Sequence, residues 1–170
     1  MAVLSGVIRV MEKAARKAGG RLRRDFGAFV DDLRRMADES RLRQAGYRDC
    51  IFWLIEDGCY IGQSSIRPEL GTPYLMTYGG HIGYSIRPSY RRRGYGRRIL
   101  QLALEKCSDL GMERVLVTCD EDNTASQRII EANGGVFESG MMMDEIVARA
   151  EGRGDEEVRK LRFWFELPRA

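Results

Sequence analysis

Six residues, Arg91-Arg92-Arg93-Gly94-Tyr95-Gly96, constrain the fold of this chain more than any other stretch, because of what lies on either side of them. Before them runs a strand-like segment, His81-Ile82-Gly83-Tyr84-Ser85-Ile86-Arg87, stopped by Pro88. After them, Ile99, Leu100, Ala103, Leu104, Cys107 and Leu110 recur every three or four positions, the period of an amphipathic helix. A glycine loop between a strand and a helix start is a natural anion cradle. Its N–H groups converge, the helix dipole is positive at that end, and glycine lets a phosphate touch the main chain. Two phosphate loops are excluded by the residues themselves. A dinucleotide fingerprint needs glycine where Ile99 stands, and a P-loop needs Lys-Ser/Thr after Gly96, where Arg97-Arg98 stand.

The flanking elements extend the pattern. Val115-Leu116-Val117-Thr118-Cys119 reads as the next strand, and Cys50–Ile55 and Cys59–Ile66 as two strands around the hairpin signal Glu56-Asp57-Gly58. Residues 67–79, with Pro68, Gly71, Pro73 and Gly79, read as a long loop, residues 141–154 as a second loop with some helical character, and Arg159–Leu167 as a final strand. Upstream, residues 5–18 read as a helix ended by Gly19-Gly20. A second helix spans about 25–38, with Phe26, Phe29, Val30, Leu33 and Met36 on one face. Helices, a hairpin, then strand–helix–strand–helix–strand predict an α/β fold, a mixed sheet with one parallel β–α–β unit.

A chain of 170 residues buries a sufficient core without metals or disulfides. Cys50, Cys59, Cys107 and Cys119 show no Cys-x-x-Cys spacing, as expected for reduced thiols in a cytosolic protein. No apolar run approaches a membrane span and no signal-peptide pattern opens the sequence, so a cytoplasmic protein without a membrane partner is expected. Residues 1–48 hold 12 Lys+Arg against 6 Asp+Glu. These cations alternate with apolar residues at helical spacing, and aromatics for base stacking are few, so a solvated helical face is favoured over a nucleic-acid site.

The loop and the helix-like segment after it resemble motif A of the GCN5-related N-acetyltransferases (GNAT), of the form Gln/Arg-x-x-Gly-x-Gly/Ala. Asp122-Asn123-Thr124-Ala125-Ser126 and Gly134-Gly135-Val136-Phe137 are similar to that family's Asn-x-x-Ser/Ala helix and closing Gly-Phe turn. The resemblance covers about residues 47–138 well and the flanks loosely. It implies a GNAT-like mixed sheet whose splayed central parallel strands, flanked by helices, hold acetyl-CoA. A domain over residues 26–170 is expected after an N-terminal helical extension, 1–25, because the first ~26 residues also look like the opening helix of inositol monophosphatases, whose Asp-Pro-x-Asp-Gly-Thr metal motif does not occur in this sequence. By position, Tyr84, Ser85, Ile86 and Arg87 would line the pantetheine arm, with an N–H near Ser85 or Ile86 polarising the thioester. Arg92, Arg93, Gly94, Tyr95, Gly96 and Arg97 would wrap the pyrophosphate. Asn123 and Ser126 would touch the cofactor, although Asn123 is equally suited to cap a helix.

The resemblance implies acetyl transfer to an amine, for which a base and an acid are sought. His81, the only histidine, stands where the family places a base, and imidazole titrates near neutral pH. Pairing of His81 with the backbone is the competing role, with Glu69 or water then serving as base. The family's acidic tyrosine falls on Ile130, so Cys119, Tyr84 or solvent would replace it. The acceptor is expected to be a small primary amine meeting Glu69, Tyr74 and Tyr78 of the long loop. A protein- or RNA-linked amine and a non-catalytic acyl-CoA-binding domain are the alternatives. A monomer or homodimer is expected.

Overall fold

The structure, a computed structural model, describes residues 2–5, 31, 34–57, 59–154 and 157–168. In chain order these form β1 (Ala2–Ser5), α1 (Ser40–Ala45), β2 (Cys50–Glu56), β3 (Cys59–Ile66) and β4 (Ile82–Ile86). Next come α2 (Tyr95–Asp109), β5 (Arg114–Asp120), α3 (Thr124–Glu131), β6 (Val136–Met142), α4 (Glu145–Ala150) and β7 (Arg159–Glu166). The strands make two sheets, β1-β2-β3-β4 and β5-β7-β6, and every pairing within them is antiparallel. Strands β4 and β5, joined through α2, lie side by side at the seam, as expected of the splayed pair.

Apolar burial holds the two sheets together across that seam. The α2 stripe Ile99, Leu100, Ala103, Leu104 and Cys107 is buried, as its three-to-four spacing predicts. Leu100, Ala103 and Cys107 share one core with Ile66 and Ile82 of the first sheet and with Val115, Val117, Phe163 and Phe165 of the second. A large apolar side chain so buried stabilises by about 1.5–3 kcal/mol. On the other face of the first sheet, Trp53 packs with Met36, Ile51, Ile55 and Tyr60.

Several local expectations change. Of the helix expected over 5–18, Ser5 lies in β1, paired with Phe52, and the remainder falls outside the described residues. Of the helix expected over about 25–38, residues 31 and 34–37 are described and helical. The loop at 67–79 contains a π-helical turn, Leu75–Gly79, held by burial of Leu75. Residues 136–142 are a strand, and α4 comes after it, capped by the Asp144 carboxylate accepting from the Ile146 N–H (2.9 Å). Strand β6 escaped the sequence pattern because it is an edge strand, largely exposed, with a bulge between Phe137 and Ser139 that interrupts alternation. Among the described residues no helix is long and apolar enough to cross a membrane. The four cysteines are unpaired, Cys107 and Cys119 buried and Cys59 exposed.

Candidate active site

The register of β4 on β3 decides where its main chain points. Arg67 N–H donates to the His81 carbonyl (2.8 Å) and Arg87 N–H to the Ile61 carbonyl (2.9 Å). Main-chain groups alternate sides along a strand, so Gly83 and Ser85, opposite Ser65 and Gln63, turn theirs toward β3. Tyr84 and Ile86 therefore turn theirs away, toward β5. On β5, Leu167 N–H donates to Glu113 (2.8 Å) and Glu121 N–H to Arg159 (2.9 Å), which commits Val115, Val117 and Cys119 to β7. Leu116, Thr118 and Asp120 then face β4. Two rows of main-chain donors and acceptors thus oppose each other across a gap with no strand in it.

The gap closes at one end through His81. Its N–H donates to the Leu116 carbonyl (2.8 Å), and the Leu116 N–H donates back to its Nδ1 (2.8 Å). Gly80 makes this approach possible, since it takes φ +68° and a Cβ there would lie 2.8 Å from the Leu116 oxygen. An accepting Nδ1 places the ring proton on Nε2. Burial lowers the His81 pKa to about 4. The side chain expected to act as base is therefore neutral at physiological pH, and its lone pair is already in use as the bolt between β4 and β5.

Beyond that bolt the gap opens into two cavities. One, of about 390 Å³, is lined by Tyr84, Ser85, Ile86, Arg91, Arg92 and Gly96 from the β4 side, and by Asn123 and Ser126 from the α3 side. At its mouth α2 begins with Gly94 at φ +83°, no side chain caps the helix, and its first-turn N–H groups are left to face an anion. Arg92 also takes a positive φ, +58°, and Arg91 Nε donates to the Ile86 carbonyl (3.1 Å) at the gap edge. Gly96 packs closely, for a Cβ on it would meet Ile129 Cδ1 at 2.6 Å.

The other candidate residues divide. The Ser85 main chain is committed to β3, so of the two N–H groups considered for the thioester the one on Ile86 faces the gap, beside that of Tyr84. The Arg87 and Arg93 guanidiniums stack over Tyr90 (5.7 and 5.5 Å to the ring centroid), outside the cavity lining, and Arg97 is exposed. The Tyr95 hydroxyl donates to Glu56, which leaves its N–H as the group at the loop. Asn123 caps α3, its Oδ1 accepting from the Ser126 N–H (3.1 Å), and its side chain also lines the cavity. Glu69 is absent from both cavities and is bound by Arg48 (2.6 Å).

The second cavity, about 280 Å³, lies on the far side and shares Tyr84, Asn123 and Ser126 with the first. Tyr78 of the π-helical turn and Tyr74 just before it line it, together with Arg67, Asp120 and Lys160. Asp120 is held by Lys160 Nζ (2.6 Å) and Arg153 Nη2 (2.5 Å). Burial works to raise its pKa, and these two cations outweigh it, so its pKa is lowered. Between the cavities the Tyr84 hydroxyl meets Ser126 Oγ at 2.7 Å, and burial raises its pKa to about 12. Burial likewise raises Cys119 to about 11. Ile130 is fully buried and reaches neither cavity. Arg67 and Lys160 were not singled out in the sequence. Lys160, a cation beside Leu161, Phe163 and Phe165 in one strand, was the available signal.

The family described as the acetyltransferase (GNAT) domain has a sequence model that matches residues 9–136. Among solved structures the fold resembles YncA, a putative acetyltransferase from Salmonella typhimurium solved with acetyl-CoA (15% identity, 100% of this chain and 96% of that chain covered, TM-score 0.57). It also resembles a variant of the spermidine N-acetyltransferase SpeG from Vibrio cholerae (12%, 98% and 95%, TM-score 0.61). A third is ribosomal-protein-alanine N-acetyltransferase from Brucella melitensis (14%, 98% and 100%, TM-score 0.59). No curated protein sequence matches the chain.

Proposed function

Because the chain belongs to the GNAT acetyltransferase family, we propose that it moves the acetyl group of acetyl-CoA directly to the primary amine of a small molecule. One observation carries this reading: the gap between β4 and β5 runs from the Arg91–Gly96 loop to a second cavity, and Tyr84 stands where the two meet. The fit to acetyl-CoA is chemical. The pantetheine arm is a chain of amides, and the gap-facing main-chain groups of Tyr84 and Thr118, with the Ile86 N–H, suit such a chain, the Ile86 and Asp120 carbonyls being already bonded to Arg91 Nε (3.1 Å) and the Asn123 N–H (3.0 Å). The loop N–H groups at Tyr95, Gly96 and Arg97, with Arg92, suit a pyrophosphate. Asn123 and Ser126 line the same path, and Arg87, Arg93 and Arg97 supply positive charge around its mouth. The proposed domain spans residues 26–170, with β1 from the preceding segment completing its first sheet.

Bound acetyl-CoA supplies an activated acyl carbon, and the residues around it do the rest. An N–H from Tyr84 or Ile86 donates to the thioester oxygen and stabilises the charge that builds there. The Tyr84 hydroxyl, protonated at neutral pH, donates to the departing sulfur in place of the tyrosine that Ile130 lacks. His81 does not take the amine proton in this scheme. The Arg67 guanidinium disfavours a charged ammonium in the second cavity, where Asp120 is already held by Lys160 and Arg153, so the amine enters neutral and loses its proton to water after attack.

The test measures release of free thiol from acetyl-CoA with a panel of small amines. Turnover is expected, and Tyr84→Phe is expected to lower kcat about 10²–10³-fold, the range of a general acid, with CoA affinity little changed. CoA binding without thiol release on any amine would support the alternative, a non-catalytic acyl-CoA-binding domain. Turnover only on protein- or RNA-linked amines would contradict the small-molecule acceptor.

A further inference from the structure

We infer that the acceptor carries a carboxylate next to its amine, as an amino acid does, and that Arg67 binds that carboxylate in the second cavity. This rests on the acetyl-transfer reading above and adds the class of acceptor to it. The charges lining the cavity are two cations and one anion, Arg67, Lys160 and Asp120. The anion is used up. Asp120 lies between Lys160 Nζ (2.6 Å) and Arg153 Nη2 (2.5 Å), so it has little charge left to attract a second ammonium. A polyamine or other polycation would find no unpaired carboxylate in this lining.

Arg67 is the group with bonding capacity left over. Its Nε lies 3.7 Å from the Asp49 carboxylate, beyond hydrogen-bond distance, and Asp49 accepts from the Ser65 hydroxyl as well. Nη1 makes one long bond, to the Gly80 carbonyl at 3.4 Å, and Nη2 has no hydrogen-bond partner among the described residues. Both terminal nitrogens stand over Gly83, where a Cβ would lie 3.7 and 3.9 Å from them. Gly83 lines the same cavity, immediately before Tyr84, so its missing side chain leaves room beside the guanidinium edge near the reacting end of the gap. A guanidinium edge with two free donors matches a carboxylate in bidentate fashion. Lys160 cannot take this role, because Asp120 already holds its ammonium.

The experiment uses the full chain, acetyl-CoA and matched pairs of amines, each an α- or β-amino acid and its carboxamide, with a polyamine as a third class. Binding of the same compounds to the CoA-loaded protein is measured by calorimetry. The carboxylate member of each pair is expected to show a kcat/KM about 10–100-fold above its amide, the range for a charge-assisted hydrogen bond. Arg67→Gln is expected to remove that preference, and Arg67→Lys, which keeps charge without the fork, to restore part of it. CoA affinity reports that the variants are folded. Amides or polyamines acetylated as well as the acids, or a preference that survives Arg67→Gln, would overturn the carboxylate site and leave the amine-transfer reading intact. Carboxylates that bind through Arg67 while no amine is acetylated would overturn the amine-transfer reading and leave the carboxylate site.

Discussion

Gly96→Asp is expected to weaken CoA binding by about 100-fold or more while the protein stays folded. Position 96 is in the first turn of α2 and lines the cavity at the Arg91–Gly96 loop. A carboxylate there opposes a pyrophosphate directly and keeps it from the helix N–H groups. Losing two charge-assisted hydrogen bonds, each about 1.5–3 kcal/mol, suffices for that factor. The added Cβ also meets Ile129 Cδ1 at 2.6 Å, but this atom is a terminal methyl that can rotate away. Gly96→Ala separates the two effects, since it carries the steric change without the charge. Calorimetry of CoA against both variants makes the comparison. Equal affinity in Gly96→Asp and the unaltered protein would mean that the loop does not hold the pyrophosphate.

The second large effect concerns His81, whose substitutions are expected to cost stability rather than chemistry. His81→Ala leaves the buried Leu116 N–H without a partner and is expected to destabilise by about 3 kcal/mol. His81→Asn keeps an acceptor for that N–H and is expected to lose less and to retain most of its turnover. The pH dependence has a definite sign. The folded pKa of His81, about 4, lies below its ordinary value of 6.5, so the unfolded chain binds the proton more readily. Its contribution to stability is complete above pH 6.5 and is lost as pH falls toward 4, up to about 3 kcal/mol. Urea unfolding from pH 7 to pH 4 is expected to show this slope in the unaltered protein and a shallower one in His81→Asn. Loss of 10²–10³ in kcat by His81→Asn, together with the ascending limb of the pH–rate profile, would instead identify His81 as the base.

What was legible in the sequence was local. The strand, the glycine loop and α2 declare themselves through period and punctuation within about thirty residues, and the Asn123 cap is apparent from its position before a helical run. Which main-chain groups face the gap was not legible. That depends on the register of β4 against β3 and of β5 against β7, set by packing among residues far apart in the chain. The same limit explains His81. A lone histidine before a glycine-flanked strand looks available for catalysis until burial and the Leu116 N–H are known. It also explains Arg67 and Lys160, whose meaning comes from Asp120 and Gly83 in the same cavity lining and from Asp49 beside Arg67. Strand β6 was missed for a different reason, because an exposed, bulged edge strand has no buried face to impose a period of two.

Hydrogen exchange at single amides tests the threading of acetyl-CoA between β4 and β5 most directly. Gly83 and Ser85 already bond to β3, whereas the Tyr84 and Ile86 N–H groups face the gap. Adding CoA is expected to slow exchange at Tyr84 or Ile86 at least about tenfold, as for an amide that gains a buried hydrogen bond, and to change Gly83 and Ser85 far less. CoA that binds in calorimetry yet leaves exchange at both Tyr84 and Ile86 unaltered would contradict the gap as its path.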